Sequence, residues 1–296
     1  MKLIVQPDAG VVPVVQAIRK ARKTIDVFIF RLDIAEVERA LMAAVQRGVR
    51  VRAVIAHTNR GGESRLRKLE QRLLAGGVTV SRTADDLLRY HAKYMIADDM
   101  LHLFGFNFTK LDILRSRSFA VATRDRRALA EASRLFEADA TRQEYKPTRS
   151  NLVVSPETSR TSLAEFLKGA RRELAIYDAR LNDMSMIRIL KQLAGRGVQI
   201  RVIGVIKTGC DGIDVRPLAK MRLHVRAIVR DGTRAFVGSQ SLRKIELDSR
   251  REVGLLVNNP VVTRKLLQIF EQDWLDADRS SAKSSAEKPA DADAVA

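Results

Sequence analysis

The sequence predicts an α/β protein built from two homologous halves. Two observations carry this: segments match across the chain at fixed offsets, and within each half helix-period and strand-period apolar patterns alternate. Leu3-Ile-Val-Gln-Pro7-Asp8 and Leu152-Val-Val-Ser-Pro156-Glu157 match at an offset of 149 residues, and Gln46-Arg-Gly48-Val and Gly195-Arg-Gly197-Val keep it. Further on the offset falls to 133, shared by His91 and His224 and by Gly105 and Gly238. It then lies near 134 for Phe136-Glu-Ala-Asp139 and Phe270-Glu-Gln-Asp273. The first half therefore carries an insertion, placed between His57 and Arg89 with the pairs Gly61-Gly62 and Gly76-Gly77.

In chain order, Val11 to Ala21 reads as a helix, Thr24 to Phe30 as a strand, Ile34 to Gln46 as a helix and Val49 to Ala56 as a strand. Gly48 and Gly197 supply the breaks after their helices. Lys93 to Ala97 and Leu101 to Phe104 form a predicted hairpin, followed by a strand at Ser118 to Thr123 and a closing helix from Arg126. The second half repeats this with Leu223 to Val229, a turn at Asp231-Gly232, and Ala235 to Val237. The spacing predicts repeats at 1–145 and 146–278. A polar, Ser- and Ala-rich tail at 279–296 has too little apolar content to order itself.

Composition bounds the partners. With 46% hydrophobic residues in 296 the chain builds a proper core, and its net charge of +18 predicts attraction to polyanions, either nucleic acid or an anionic lipid surface. Aromatic residues are 5% of the chain, which argues against an extended base-stacking platform. Cys210 is the only cysteine, which excludes an intramolecular disulfide and a cysteine-rich zinc site. No run is long enough to span a bilayer and the first residues do not resemble a signal peptide, so the chain reads as soluble and cytoplasmic, with peripheral membrane contact. No obligate protein partner is implied.

The chemistry sits in two related segments. His91-Ala-Lys93-Tyr-Met-Ile-Ala-Asp98 is followed by Gly105-Phe-Asn107, and His224-Val-Arg226-Ala-Ile-Val-Arg-Asp231 by Gly238-Ser239-Gln240. Residues two apart on a strand share a face, so His91 with Lys93, and His224 with Arg226, would project together. Asp98 and Asp231 fall at turns, where a carboxylate locks local geometry or balances the cation. If the halves face each other, both histidines reach one cleft: one imidazole attacks phosphorus, the other passes a proton, and the cations neutralise phosphoryl charge without a metal or cofactor. Read alone, Arg65-Leu-Arg67-Lys68 and Arg124-Asp-Arg126-Arg127 are solvated helix faces or a polyanion-docking surface, and His57 and His102 carry no assigned role.

These segments resemble the phospholipase D superfamily, whose signature is H-x-K-x4-D followed by Gly-x-Asn or Gly-Ser-x-Asn, once per half. The resemblance spans roughly residues 1 to 278 and implies a duplicated phospholipase D-like fold of two α/β/α halves related by a pseudo-twofold, with the active-site cleft between them. It implies metal-independent transfer through a phosphohistidine, with His91 as nucleophile, His224 as general acid and base, and Lys93, Asp98, Arg226, Asp231 and Glu252 completing the catalytic group. Lys93, Asn107, Arg226, Ser239 and Gln240 would bind substrate phosphate. The second half departs from the signature: Arg226 stands for lysine, and Gln240 stands near the expected asparagine. The downstream acid that orients a histidine is matched by Glu252, whereas the corresponding first-half segment reads Arg117-Ser118-Phe119. The expected function is phospholipid phosphodiester hydrolysis or phosphatidyl transfer, in the manner of cardiolipin synthases. The alternatives are a nuclease using the same residues, and a polyanion-binding module without turnover.

Overall fold

The computed structural model describes residues 1–58, 63–206, 211–218 and 220–286. Gly61, Gly62 and Cys210 lie outside the described residues. The first half runs β1 (Lys2–Gln6), α1 (Val12–Lys20), β2 (Thr24–Ile29), α2 (Ala35–Gln46), β3 (Arg50–Ile55), α3 (Glu63–Ala75), β4 (Thr79–Arg82), β5 (Arg89–Tyr90), β6 (Tyr94–Ala97), β7 (Met100–Phe104), α4 (Lys110–Leu114), β8 (Ser116–Thr123) and α5 (Arg126–Thr141). The second runs β9 (Leu152–Ser155), α6 (Ser159–Lys168), β10 (Glu173–Leu181), α7 (Met184–Ala194), β11 (Gln199–Ile206), β12 (Asp214–Arg216), β13 (Arg222–Leu223), β14 (Arg226–Arg230), β15 (Arg234–Gly238), α8 (Lys244–Asp248), β16 (Arg250–Val257) and α9 (Pro260–Ala286). The inserted element of the first half is α3. The helix α9 continues eight residues past the start of the segment expected to be a disordered tail, because no proline interrupts Arg279 to Ala286; residues 287–296 lie outside the described residues.

Each half is a mixed sheet with helices packed against it. In α2, Val37, Ala40, Leu41 and Ala44 are buried at three- and four-residue spacing, and in α7 Met186, Ile187, Leu190 and Leu193 repeat the stripe. Covered on both faces, β2 reads as an apolar run apart from Asp26, whose carboxylate takes a bidentate bond from Arg52 at 2.7 Å. Arg52 lies over the Phe136 ring, and Arg201 repeats the arrangement over Phe270. The two sheets run β1-β8-β7-β6-β2-β3-β4 and β12-β11-β10-β14-β15-β16, with β9 on β16. One core spans both, through Phe119 against Tyr177, Tyr177 against Phe270, and Phe270 against Trp274.

The halves also exchange strands. Each gives the short strand before its histidine to the other's sheet: β5 pairs in parallel with β16, and β13 with β8. The predicted strand from Leu223 to Val229 is accordingly broken at His224-Val225, where the chain passes from one sheet to the other. The exchange ends in backbone bonds from the His91 N–H to Arg251 O at 2.8 Å and from the His224 N–H to Arg117 O at 3.2 Å. Each histidine is thereby fixed to the opposite half.

Two buried arginines related by the duplication stitch the same seam. Arg117 donates to both Asp273 oxygens, at 2.8 and 2.9 Å, and the Tyr177 hydroxyl donates to Asp273 at 2.6 Å. Arg251 donates to Asp139 at 3.2 Å but also to both oxygens of Glu157. Burial pushes the Asp139 carboxyl up to about 7 against the pull of Arg251. Removing one partner of a buried pair leaves an uncompensated charge. Asp273→Asn is expected to cost about 3 kcal/mol, the low end for such pairs because Arg117 also borders a surface cavity. Asp139→Asn is expected to cost less, since Glu157 still pairs with Arg251. Urea unfolding midpoints check the order, and equal midpoints for the two variants would refute it.

Candidate active site

His91 follows β5 and, with Ala92 and Lys93, lies outside regular strand, so the same-face projection predicted for His91 and Lys93 is not what the backbone makes. His91 faces a cleft, whereas Lys93 is buried beneath it and donates to the His91 carbonyl oxygen, with its ammonium 5.2 Å from the Phe30 ring centroid. The Nδ1–H of His91 donates to both Glu252 oxygens at 2.9 Å, and the Phe30 ring meets the imidazole edge-on at 4.5 Å. With Nδ1 holding the proton, Nε2 is left as the lone-pair atom. Burial, then Lys93 and Arg226, push the imidazole well below its ordinary value, so it is neutral near neutral pH. Burial also lowers the Lys93 ammonium to about 7 against the pull of Glu252, and raises the Glu252 carboxyl against that of Lys93.

His224 lines the same cleft from the other half. Its Nδ1 lies 3.5 Å from Asp112 Oδ2, an ion-pair distance without hydrogen-bond alignment, and has no hydrogen-bond partner among the described residues. Asp112 comes from α4 and also accepts from the Asn107 backbone N–H, the Asn107 amide and Arg222. Burial opposes ionisation of Asp112, but His224, Asn107 and Arg222 together hold it below its ordinary value. Ser118 occupies the place where the duplication would put a second Glu252, and its hydroxyl is buried without a partner among the described residues. The missing acid is thus replaced, at longer range, by Asp112. The sequence contained a signal for it: Asp112 stands 134 residues before Glu246, in the offset of the closing segments.

The second-half residues expected to bind phosphate shift by one position. The turn after β6 is Asp98-Asp99, but the turn after β14 is Asp231-Gly232-Thr233, so the offset becomes 134 within the hairpin. Gly238 pairs with Gly254 as Phe104 pairs with Ala120, which makes Gly238 the counterpart of Phe104 and not of Gly105. The counterpart of Asn107 is then Ser241: its N–H donates to Glu246 as the Asn107 N–H donates to Asp112, and its hydroxyl accepts from Arg226 Nε at 3.1 Å. Gln240 is turned away from the cleft, its amide donating to Val153 O and Ser159 Oγ. Ser239 is buried beside Glu252, exchanging bonds with the Val253 backbone.

Asp98 and Asp231 do not line the cleft. At φ near +51° and +53°, each sits at its hairpin turn and accepts the backbone N–H groups of Arg22, Lys23 and Thr24, or of Arg171, Arg172 and Glu173. They anchor the hairpins and touch no reacting group, a correction to their place among the catalytic residues. Gly105 has a conformational reason of its own: an added Cβ would stand 2.9 Å from Phe119 O and 3.2 Å from Gly238 O, where the two halves meet.

The cleft measures about 510 Å³ and draws from both halves: His91, Asn107 and Asp112 from one, His224, Arg226 and Glu246 from the other. Its walls hold eight arginines, Arg31, Arg65, Arg89, Arg180, Arg222, Arg226, Arg243 and Arg250, against three carboxylates, Asp33, Asp112 and Glu246. Of these arginines, sequence reasoning singled out only Arg226 as part of the site, although Arg89 and Arg222 keep the histidine offset. The inserted α3 adds Arg65, Leu66 and Leu69 to one wall. Arg226 Nη1 is buried in this cleft without a hydrogen-bond partner among the described residues. Among the described residues, no group of three or more His, Cys, Asp or Glu side chains is placed to hold a metal ion. Nor is any described helix long and apolar enough to cross a membrane.

Among solved structures, polyphosphate kinase from Porphyromonas gingivalis superposes with a TM-score of 0.75 at 20% identity, over 91% of this chain and 46% of that one. The chain thus spans under half the length of that protein. Phosphatidylserine synthase from Haemophilus influenzae Rd KW20 superposes with a TM-score of 0.67 at 11% identity, over 92% of this chain and 85% of the other. At these identities the likeness is one of fold. No curated protein sequence matches the chain. The family model described as "Cardiolipin synthase, PLD-like domain" matches residues 14–140 and 163–274, one stretch in each half. With the duplicated fold and two histidines lining one cleft, that match across both halves makes the chain a member of the phospholipase D-like family so described.

Proposed function

We propose that the protein is a phosphodiesterase or phosphatidyltransferase acting on a phospholipid through a phosphohistidine at His91. The observation that carries this reading is the orientation of His91: its Nδ1–H is held by Glu252 while its ring faces the cleft that His224 shares. Nε2 attacks phosphorus, forming a P–N bond as the P–O bond to the leaving alcohol breaks. His224 gives that alkoxide its proton, then takes one from water or an acceptor alcohol, whose oxygen displaces His91. Burial and Arg226 hold the His224 imidazole low, while Asp112 opposes them. A bound phosphate adds its own negative charge to that of Asp112, so substrate itself favours the protonated acid. Arg226 binds an equatorial oxygen, and Lys93 adds positive charge from below.

A lipid is favoured by the family's description and by Leu111 and Leu114, about half exposed on α4, with Leu111 at the cleft. An anionic membrane surface is the expected partner, approached peripherally from the cytoplasm. One observation favours a nuclease as second reading: arginine dominates the cleft wall, and phosphate contacts dominate nucleic-acid affinity. Product release in EDTA from anionic phospholipid vesicles, and in parallel from single- and double-stranded DNA, tests the two. Headgroup or transfer product that vanishes in His91→Asn is expected. Cleaved DNA that vanishes in the variant would transfer the assignment to a nuclease, and no product from either would overturn both.

A further inference from the structure

The charge of the cleft exceeds what one phosphodiester requires. Eight arginines face three carboxylates, a net excess of five positive charges, whereas a scissile phosphodiester brings one negative charge. Clustered cations with so small a counterion repel one another, and a cleft focuses their field towards whatever anion fills it.

Two of these arginines stand apart from the catalytic group. Arg31 and Arg180 occupy equivalent places, 149 residues apart, just beyond β2 and at the end of β10. Both line the cleft, and neither side chain makes an ion pair among the described residues, in contrast to Arg222 with Asp112 and Arg243 with Glu246. Each is tied to one catalytic group by a short path. The guanidinium of Arg31 lies 5.6 Å from the centroid of Phe30, the ring that packs against His91. Arg180 donates its backbone N–H to Asp178, which also receives the Leu242 N–H and so fixes the loop whose Ser241 holds Arg226. Related by the duplication, the two arginines line the one cleft, each from its own half.

We propose that Arg31 and Arg180 form anion subsites flanking the catalytic phosphate, and that the substrate carries a second phosphate next to the one that reacts. Arginine suits this role because its planar fork binds phosphate in two-point fashion and stays charged at all relevant pH. The inference rests on the phosphoryl-transfer reading of the same cleft, but its test does not need turnover. Calorimetric titration of the full chain compares orthophosphate with methylenediphosphonate, which presents two phosphoryl groups through a bond that does not hydrolyse.

The diphosphonate is expected to bind at least about tenfold more tightly, a difference of about 1.4 kcal/mol. Arg31→Ala with Arg180→Ala is expected to remove that advantage while leaving orthophosphate affinity within about twofold. Arg124→Ala with Lys146→Ala, exposed residues paired with Asp99 and Glu144 and absent from the cleft wall, controls for the loss of two charges. Equal binding of the two probes by the wild type, or an advantage that survives the double substitution, would overturn the proposal. Displacement of the diphosphonate by vesicles of a two-phosphate lipid assigns the second phosphate to a lipid, and displacement by a single-stranded oligonucleotide assigns it to nucleic acid. Displacement by neither also overturns it. If the diphosphonate advantage appears but no phosphodiester is turned over, the subsites stand and the catalytic reading fails.

Discussion

His91→Asn is expected to abolish phosphoenzyme formation and to lower turnover by about 10⁴-fold or more, whereas His224→Asn, given a leaving group that needs no proton, is expected to form the phosphoenzyme and stall there. The asymmetry follows from what each ring is held by. Glu252 fixes the His91 proton on Nδ1 and frees Nε2, while His224 has only Asp112 at 3.5 Å and is held low by burial and then by Arg226. A p-nitrophenyl phosphodiester separates the two roles, because its leaving group departs without a proton. With that substrate, His224→Asn gives a burst of one nitrophenol per protein molecule followed by a slow phase, and the label remains on His91 as an acid-labile phosphoramidate. No burst appears with His91→Asn. Label found on His224, or a burst in the His91 variant, would exchange the two assignments or end the covalent mechanism.

Much of this was legible in the sequence, and the exceptions have physical causes. The duplication, the α/β order and the position of the insertion follow from offsets and periodicity, since both report local chain geometry. What the sequence concealed depends on pairing between distant segments. A single extra residue in the Asp231-Gly232-Thr233 turn moves every later equivalence by one, so that Ser241 stands where Gln240 seemed to, and no periodicity reports it. The exchange of β5 and β13 is equally non-local: two short strands leave their own halves, and only their partners reveal it. It also explains why Lys93 lies buried against His91 and does not project with it into the cleft, since the chain must turn between the two sheets at that point. Ser118 suggested a site without its acid; a carboxylate on a separate helix, brought near by the fold, occupies that role at 3.5 Å.

That difference in distance leads to unequal consequences for two formally similar substitutions. Glu252→Gln is expected to lower turnover by about 10³- to 10⁴-fold, by the logic that an amide presented to Nδ1 selects the tautomer with its proton on Nε2. In that tautomer the nucleophilic lone pair is lost, although the ring stays in place, because its backbone N–H remains bound to Arg251 O. The Glu252 side chain is wholly buried, so bulk water cannot restore the original pairing. Asp112→Asn is expected to cost much less, about 10-fold, since Nδ1 of His224 makes no aligned hydrogen bond to it and Arg226 already sets much of its environment. The loss should also be smaller for the p-nitrophenyl substrate, which needs no acid in the first step. Equal losses would mean that Asp112 orients His224 as firmly as Glu252 orients His91, and that the 3.5 Å separation closes when phosphate is bound. The opposite order, with Asp112→Asn the more damaging, would make His224 the nucleophile, because the tautomer matters most for the ring that attacks.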